Sequence, residues 1–314
     1  MIVNNEKISK YLQEYHEGKI SMGKGIGVPQ MDEIIRFKPQ EFTIINGLDN
    51  VGKTVTMLWY YLCLSYKHNL KWCIYSGENQ PGQLVRQMIQ WITGKRLSEL
   101  KLSEVFRYEL KIKQWFTFVE NDFYKSTELF KVFEDGDYNG CLIDPYTGMN
   151  RDYTHAANYD FLNESRDFCN RTGKSLYVNT HVVSESARRT YPAGHEFENY
   201  PFPPSKSSSE GGQPFGNRCD GFLTIHRLVG HPTMKYKTLL FSRKVKDTET
   251  GGSVSDINTP VELDFNSGLG FTINGQNPLN STVKDDLELP ELTVNEDFES
   301  SVDDMYNDKD DLPY

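Results

Sequence analysis

No stretch of this 314-residue sequence is apolar for long enough to cross a bilayer: the longest such run, 57–66, is about half of the roughly 20 residues required. The opening MIVNNEKISK has no apolar signal core. A soluble, cytoplasmic protein with no membrane partner is therefore expected, in the host cytoplasm if a phage encodes it. CxxC pairs are also missing, and the five cysteines (Cys63, Cys73, Cys141, Cys169, Cys219) are an odd number. That argues against a disulfide framework or a structural zinc and for reduced, mostly buried thiols. There is no internal repeat and no compositional extreme. With 37% hydrophobic and 25% charged residues, collagen-like, mucin-like and wholly disordered chains are excluded. A surplus of basic charge is lacking too, the formal net charge being −10. Residues 285–314, however, hold twelve carboxylates against one lysine, which leaves 33 basic and 32 acidic side chains in the rest. The acidity belongs to a tail, and a neutral body can still carry a local basic surface, so total charge does not exclude nucleic acid.

What is present is length enough for one large domain or two small ones, with a clear order along it. Residues 5–17 place Ile8, Leu12 and Tyr15 at helical spacing. This short amphipathic helix, in a segment 1–19, needs the body of its own chain or a neighbouring subunit to dock on. After a glycine-rich link, 20–277 alternates short apolar runs with helical periods. That is the signature of an α/β domain with a mainly parallel sheet. Strands are expected at 42–46, 72–76, 116–120, 140–144, 175–179, 221–226 and 237–242. Helices are expected at about 53–68, 80–93, 97–114, 126–134 and 158–172. Residues 236–274 show strands without a helix, hence antiparallel strands at a sheet edge. Between 182 and 216 the composition turns to Ser, Pro, Gly and Tyr, a loop far longer than the usual 2 to 6 residues and therefore functional or disordered. Residues 278–314 read as a disordered acidic tail.

The sharpest motif is GLDNVGKT at 47–54, which fits GxxxxGK[ST] and lies between a strand and a helix. In such a loop the glycines let backbone N–H groups close around phosphates, Lys53 neutralises the β and γ phosphates, and the Thr54 hydroxyl coordinates Mg²⁺. Asp49 puts a negative charge inside this loop, a cost near phosphates unless its side chain points outwards. Asp144 ends the apolar run CLID at the carboxyl end of a strand, where open α/β sheets bind ligands. It is either a second Mg²⁺ contact through water or a turn aspartate before Pro145. Glu78, after WCIYS, is either the general base that polarises an attacking water or an exposed loop glutamate. His181, after SLYVNT, either senses the γ-phosphate or is a structural histidine.

Taken in order, these segments resemble the RecA-like ATPase domain of ring-forming replicative helicases of the DnaB type, especially the phage primase-helicase and mitochondrial Twinkle branch. IYSGENQPGQLVRQMIQWITG is similar to the family's strand, catalytic glutamate and helix, with Glu78 at the glutamate. CLIDPYTGM resembles its Walker B segment with Asp144 as the acid. YVNTHVVSESARR places His181 where the Twinkle branch has its histidine, and SEGGQPFGNRCDGFLTIHR resembles the pattern of Gly211, Gly212, Asn217, Asp220 and Arg227. The resemblance implies ATP and Mg²⁺ as cofactors, with Gly47, Asn50, Gly52, Lys53, Thr54 and Val55 at the nucleotide and Thr54 and Asp144 at the metal. It also implies a homo-oligomer, a hexameric ring, in which a basic cluster reaches a neighbour's ATP. One departure stands out. The family's Lys-x-Arg is Lys244 and Lys246 here, so either Lys246 serves as the finger without an arginine's bidentate fork or Arg243 takes over. A second is that only 40 residues precede the core, so no amino-terminal helicase or primase domain is expected within them. Single-stranded DNA would meet Arg151 on 145–158 and Arg188, Arg189 and Lys206 on the long loop, as phosphate contacts without sequence readout. The alternative for Arg188 and Arg189 is a solvated surface pair. The tip DKDDLPY, with Asp310, Asp311, Leu312, Pro313 and Tyr314, resembles the acidic tip of single-strand-binding proteins and the aromatic-ended tails of some phage helicases. It is expected to dock on a replication protein such as a polymerase, a primase or a receptor for such tails. Three readings follow: a replicative helicase or translocase, a RecA-like recombinase or helicase loader that binds single strands without unwinding, and a nonenzymatic nucleotide-binding scaffold.

Overall fold

The computed structural model describes residues 4–19, 23–152, 154–256, 258–279 and 287–291. A short helix α1 (Asn5–His16) and a one-and-a-half-turn helix α2 (Pro29–Ile34) precede the core. The core then runs β1 (Phe42–Asn46), α3 (Lys53–His68), β2 (Trp72–Ser76), α4 (Pro81–Thr93), α5 (Leu102–Trp115), β3 (Phe116–Phe118), α6 (Ser126–Asp135), β4 (Gly140–Asp144), α7 (His155–Thr172) and β5 (Ser175–Thr180). Two short helices, α8 (Ser184–Ala187) and α9 (Gln213–Arg218), lead to β6 (Gly221–His226), β7 (Lys237–Val245), β8 (Val261–Phe265) and β9 (Phe271–Thr272). The nine strands form one sheet in the order β3-β2-β4-β5-β1-β6-β7-β8-β9, parallel from β3 to β6 and antiparallel from β7 onwards.

The strands are legible as apolar runs because both faces of the sheet are covered. Successive side chains alternate between two cores. Ile45, Trp72, Ile74 and Leu142 face α3, α4 and α5 with Trp59, Tyr61, Met88 and Trp91, while Phe42, Ile44, Cys141 and Ile143 face α6 and α7 with Phe130, Phe133, Phe161 and Phe168. On the first side Tyr61 stacks on Trp72 with ring centroids 4.1 Å apart. The five cysteines are buried free thiols. Among the described residues no helix is long and apolar enough to cross a membrane.

Several boundaries differ from the sequence expectation, each for a local reason. The helix expected at 97–114 breaks, because the Glu99 and Glu104 carboxylates turn back to accept from the Arg96 and Lys101 backbone N–H groups and start a 3₁₀ turn and α5 separately. Helix α7 starts at 155 rather than 158, since the Thr154 hydroxyl accepts from the Ala157 N–H as an N-cap. Strand β3 stops at 118, and β7 continues to Val245, where it pairs with Gly221 across a bulge. The 182–216 stretch is built, with α8, a 3₁₀ turn at Lys206–Ser208, α9 and bridges at Val182–Ser209 and Thr190–Pro201. Beyond 277, Leu279 is buried, Leu287 packs on the core and the Arg107 Nε donates to the Pro290 carbonyl at 3.2 Å, so part of the expected tail lies on the body. The tip, Asp310 to Tyr314, lies outside the described residues. Helix α1 buries none of its side chains; Ile8, Tyr11, Leu12 and Tyr15 are exposed, and the Tyr15 hydroxyl donates to the Glu249 carboxylate.

Candidate active site

The parallel strands point their carboxyl ends at one edge, and β1 occupies the middle of it between β5 and β6. The loop 47–54 leaves β1 here and opens α3. Its turn needs backbone that L side chains rarely adopt: Asn50 has φ 60° and Gly52 φ 86°. At Gly47 a Cβ would run into the Ile225 carbonyl of β6. Arg227, just past β6, holds the loop from above, its Nη2 donating to the Asn50 carbonyl at 2.5 Å.

Lys53 is nearly buried and its Nζ donates to the carbonyls of Gly47 (3.1 Å) and Leu48 (3.0 Å). Burial pulls its ammonium below the usual lysine range, opposed by the charges of Asp144, Asp49 and Glu78. Strand β4 pairs with β2 so that Asp144 lies beside Ser76, which brings Glu78, two residues on, to the same edge. Asp144 is 3% exposed; burial pushes its carboxyl up, against hydrogen bonds from Thr54 and Asn179 and the charge of Lys53. The Asn179 Nδ2 donates to its Oδ1 at 2.6 Å, and its Oδ2 is buried with no protein partner. A buried carboxylate oxygen without a donor, next to a threonine hydroxyl and an ammonium, fits a hard divalent cation and its waters. The chemistry of Thr54 and Asp144 therefore agrees with Mg²⁺.

His181 sits at the end of β5 between two carboxylates, its Nδ1 3.0 Å from Asp49 Oδ1 and its Nε2 3.6 Å from Glu78 Oε1. Asp49 is 80% exposed and points out of the loop, which removes the cost its charge would impose on a phosphate. Asp49, Asn50, Gly52, Lys53, Thr54, Val55, Glu78, Asp144 and His181 thus line one open cleft.

The basic residues lie elsewhere. Arg188, Arg189 and Lys206 are exposed, Arg189 with its guanidinium 4.7 Å from the Phe202 ring. Arg151, expected to face a nucleic-acid strand, is instead turned inward: its side chain is 9% exposed, paired with Glu210 at 3.3 Å and laid 4.2 Å over the Tyr146 ring. Arg243 lies over the Phe241 ring at 4.2 Å, and burial lowers its pKa. Lys244 donates to the Gly216 and Asn217 carbonyls, and Lys246 Nζ is 3.0 Å from Asp220 Oδ1. Because Val245 pairs with Gly221, Lys244 and Lys246 are at the amino end of the sheet, away from their own chain's phosphate loop.

Residue reasoning gave no role to Asn179, or to the buried polar layer that ties the long loop to the strand ends. There Asn46 Nδ2 donates to the Ser205 carbonyl (2.8 Å), Thr224 Oγ1 to Asn46 Oδ1 (2.8 Å), and Thr180 Oγ1 lies 3.3 Å from Ser209 Oγ. The signal available was a polar residue at or near the last position of otherwise apolar strands, in FTIIN, SLYVNT and GFLTIH.

A phosphate-binding loop at the middle of a mainly parallel sheet, an acid at the end of a neighbouring strand and an antiparallel edge define a RecA-like P-loop ATPase fold. More narrowly, it is the fold of the ATPase domain of DnaB-type replicative helicases. The chain superposes on the ATPase domain of a phage helicase with a TM-score of 0.67 at 12% identity, covering 86% of this chain and 98% of that one. It superposes on a DnaB-like replicative helicase, solved in a study of its interactions with primase, with a TM-score of 0.64 at 12% identity, covering 86% of this chain and 67% of that one. No protein-family model and no curated protein sequence matches the chain.

Proposed function

We propose that this protein is an ATP-driven motor of DNA replication, a helicase or translocase that assembles as a ring, probable size aside, in the hexameric manner the resemblance implies, around single-stranded DNA in a phage-type system. The observation that carries the reading is the buried, partnerless Asp144 Oδ2 beside Thr54 and Lys53 at the mouth of a phosphate loop. The loop's backbone N–H groups and Lys53 bind the triphosphate, while Thr54 and, through water, Asp144 hold Mg²⁺. Such an ion supplies neutralisation of charge on the β and γ oxygens. Glu78 orients the attacking water and accepts its proton, and His181 stands between that glutamate and the phosphate loop, where it reads the terminal phosphate.

Assembly completes the site in this reading. Lys246, Lys244 or Arg243 reaches the nucleotide of a neighbouring subunit, and the exposed face of α1 straps onto that neighbour. Arg188, Arg189 and Lys206 supply sequence-independent phosphate contacts to the strand. The tail tip at 310–314 docks on a replication partner, and equal binding of that partner by a chain cut at Pro290 would remove this part.

A second reading, a RecA-like recombinase or helicase loader that binds single strands without unwinding, is favoured by one observation: a lysine held by Asp220 in its own chain stands where the family has its arginine. Strand displacement on a forked duplex, followed together with phosphate release, separates the two. Unwinding that needs ATP and disappears with Lys53→Ala establishes the motor. Phosphate release stimulated by DNA without unwinding selects the second reading, and no turnover despite nucleotide binding leaves a scaffold.

A further inference from the structure

Two loops leave the carboxyl edge beside the candidate site, 145–154 after β4 and 181–212 after β5, and Glu210 joins them. Its backbone N–H donates to the His181 carbonyl at 2.8 Å, next to a bridge in which the Val183 N–H donates to the Ser208 carbonyl at 2.9 Å. Its Oε1 lies 3.3 Å from Arg151 Nη2. The Arg151 guanidinium covers the buried ring of Tyr146, two residues past Asp144, and the Tyr146 hydroxyl donates to Asn158 Oδ1 at 2.8 Å in the first turns of α7. A continuous set of bonded groups therefore runs from the imidazole between Asp49 and Glu78, through one residue, to the loop that follows Asp144.

From this juxtaposition we infer that Glu210 is a positioning residue: it fixes the loop after β4 to the backbone of His181, so that a change at the phosphate site moves both loops together. The inference rests on the nucleotide reading above. Its physical basis is that the two bonds of Glu210 differ in kind. The backbone bond follows wherever the end of β5 goes, and the carboxylate carries that movement to Arg151, whose planar fork and stacked position leave it little freedom to reorient. A pair serving only as a surface ion pair would contribute stability of the loop and no communication.

The test is hydrogen exchange on the full chain with and without Mg²⁺ and a non-hydrolysable ATP analogue, for the natural sequence, Glu210→Gln, and the charge swap Glu210→Arg with Arg151→Glu. In the natural sequence nucleotide slows exchange at 47–54 and, by about tenfold, at 146–152. Glu210→Gln keeps the response at 47–54 and loses it at 146–152, and the swap restores it. A response at 146–152 that survives Glu210→Gln, or a swap that melts like the natural chain yet restores nothing, overturns the inference. Absence of any response at 47–54 in the natural sequence overturns the nucleotide reading and this inference with it, and is recognised by that segment alone.

Discussion

At the amino end of β1 and β6 the charges are matched inside the chain, whereas at the carboxyl end of the same strands they are not. Asp220 accepts from both Arg166 (2.6 and 2.8 Å) and the Phe42 N–H (3.1 Å) and has Lys246 at 3.0 Å, while Lys38 bridges Glu41 and Asp247. At the other end Asp144 keeps an oxygen without a partner, Lys53 donates only to carbonyls, and His181 is shared by two exposed carboxylates. One end uses charge to hold the chain together. The other holds charge in reserve for something that is not protein, and tolerates the desolvation of Asp144 and Lys53 to do so.

The largest effects should separate the two ends by kind. Lys53→Ala and Asp144→Asn are expected to lower ATP hydrolysis by about 10² to 10³-fold or more, measured as phosphate release with DNA present. Their melting temperatures should stay level or rise, because each removes a poorly solvated charge. Asp220→Ala should do the reverse: it strands Arg166 and the Phe42 N–H and should cost about 3 to 5 kcal/mol in urea unfolding, with nucleotide affinity per folded molecule unchanged. A cost below about 1 kcal/mol at Asp220 would break the comparison, since surface pairs alone are worth that much.

A smaller effect appears in the pH dependence. Burial pushes Glu41 up to about 7, with Lys38 opposing and Asp220 reinforcing the shift. A carboxyl whose folded pKa is raised binds more protons folded than unfolded, so its contribution to stability is lost as pH rises from about 4.5 through 7. Glu41→Gln should therefore gain up to about 3 kcal/mol on the natural chain between pH 4.5 and pH 8. Buried His226, pulled down to about 4 by desolvation, has the opposite sign, losing stability as pH falls from 6.5 towards 4. In the natural chain the two slopes offset each other around pH 5 to 6. Unfolding of Glu41→Gln in that window should show the histidine slope alone, and an unchanged pH profile would mean Glu41 is not the group responsible.

The same division explains what the residues disclosed before the fold was known. The strands and the phosphate loop were legible because they are local: an apolar run buried on both faces, or glycines and a lysine at fixed spacing, states its own environment. Asp144, Glu78 and His181 were legible as positions at strand ends, and parallel pairing then gathered them at one edge. The partners were not legible, because they join distant parts of the chain. Asn179 meets Asp144 across 35 residues, Thr224 meets Asn46 across 178, and Arg151 meets Glu210 across 59. Arg151 shows the consequence: in sequence it is a loop cation, and only the position of Glu210 and Tyr146 turns it inward. The long Ser-rich stretch was misleading for a related reason, since its serines are paired with the polar residues at the strand ends rather than with water.

The smallest expected effect carries the sharpest question, because Lys246 is the one residue that belongs to both ends in the proposed ring. In its own chain it is the most exposed partner of Asp220, with a side chain 62% accessible, and Arg166 already satisfies the same carboxylate through two bonds. Lys246→Ala should therefore cost no more than about 0.5 kcal/mol in urea unfolding, the worth of an exposed pair. If Lys246 serves a neighbour's nucleotide, the same substitution should lower turnover by about 10²-fold or more in assembled protein. Mixing it with a Lys53→Ala chain then decides between cis and trans action: a subunit that lacks Lys53 but keeps Lys246 should restore turnover at the intact phosphate loop of its Lys246→Ala neighbour. Failure of the mixture to exceed either variant alone, with both confirmed in one assembly, would return Lys246 to the matched end of the sheet and move the trans role to Arg243.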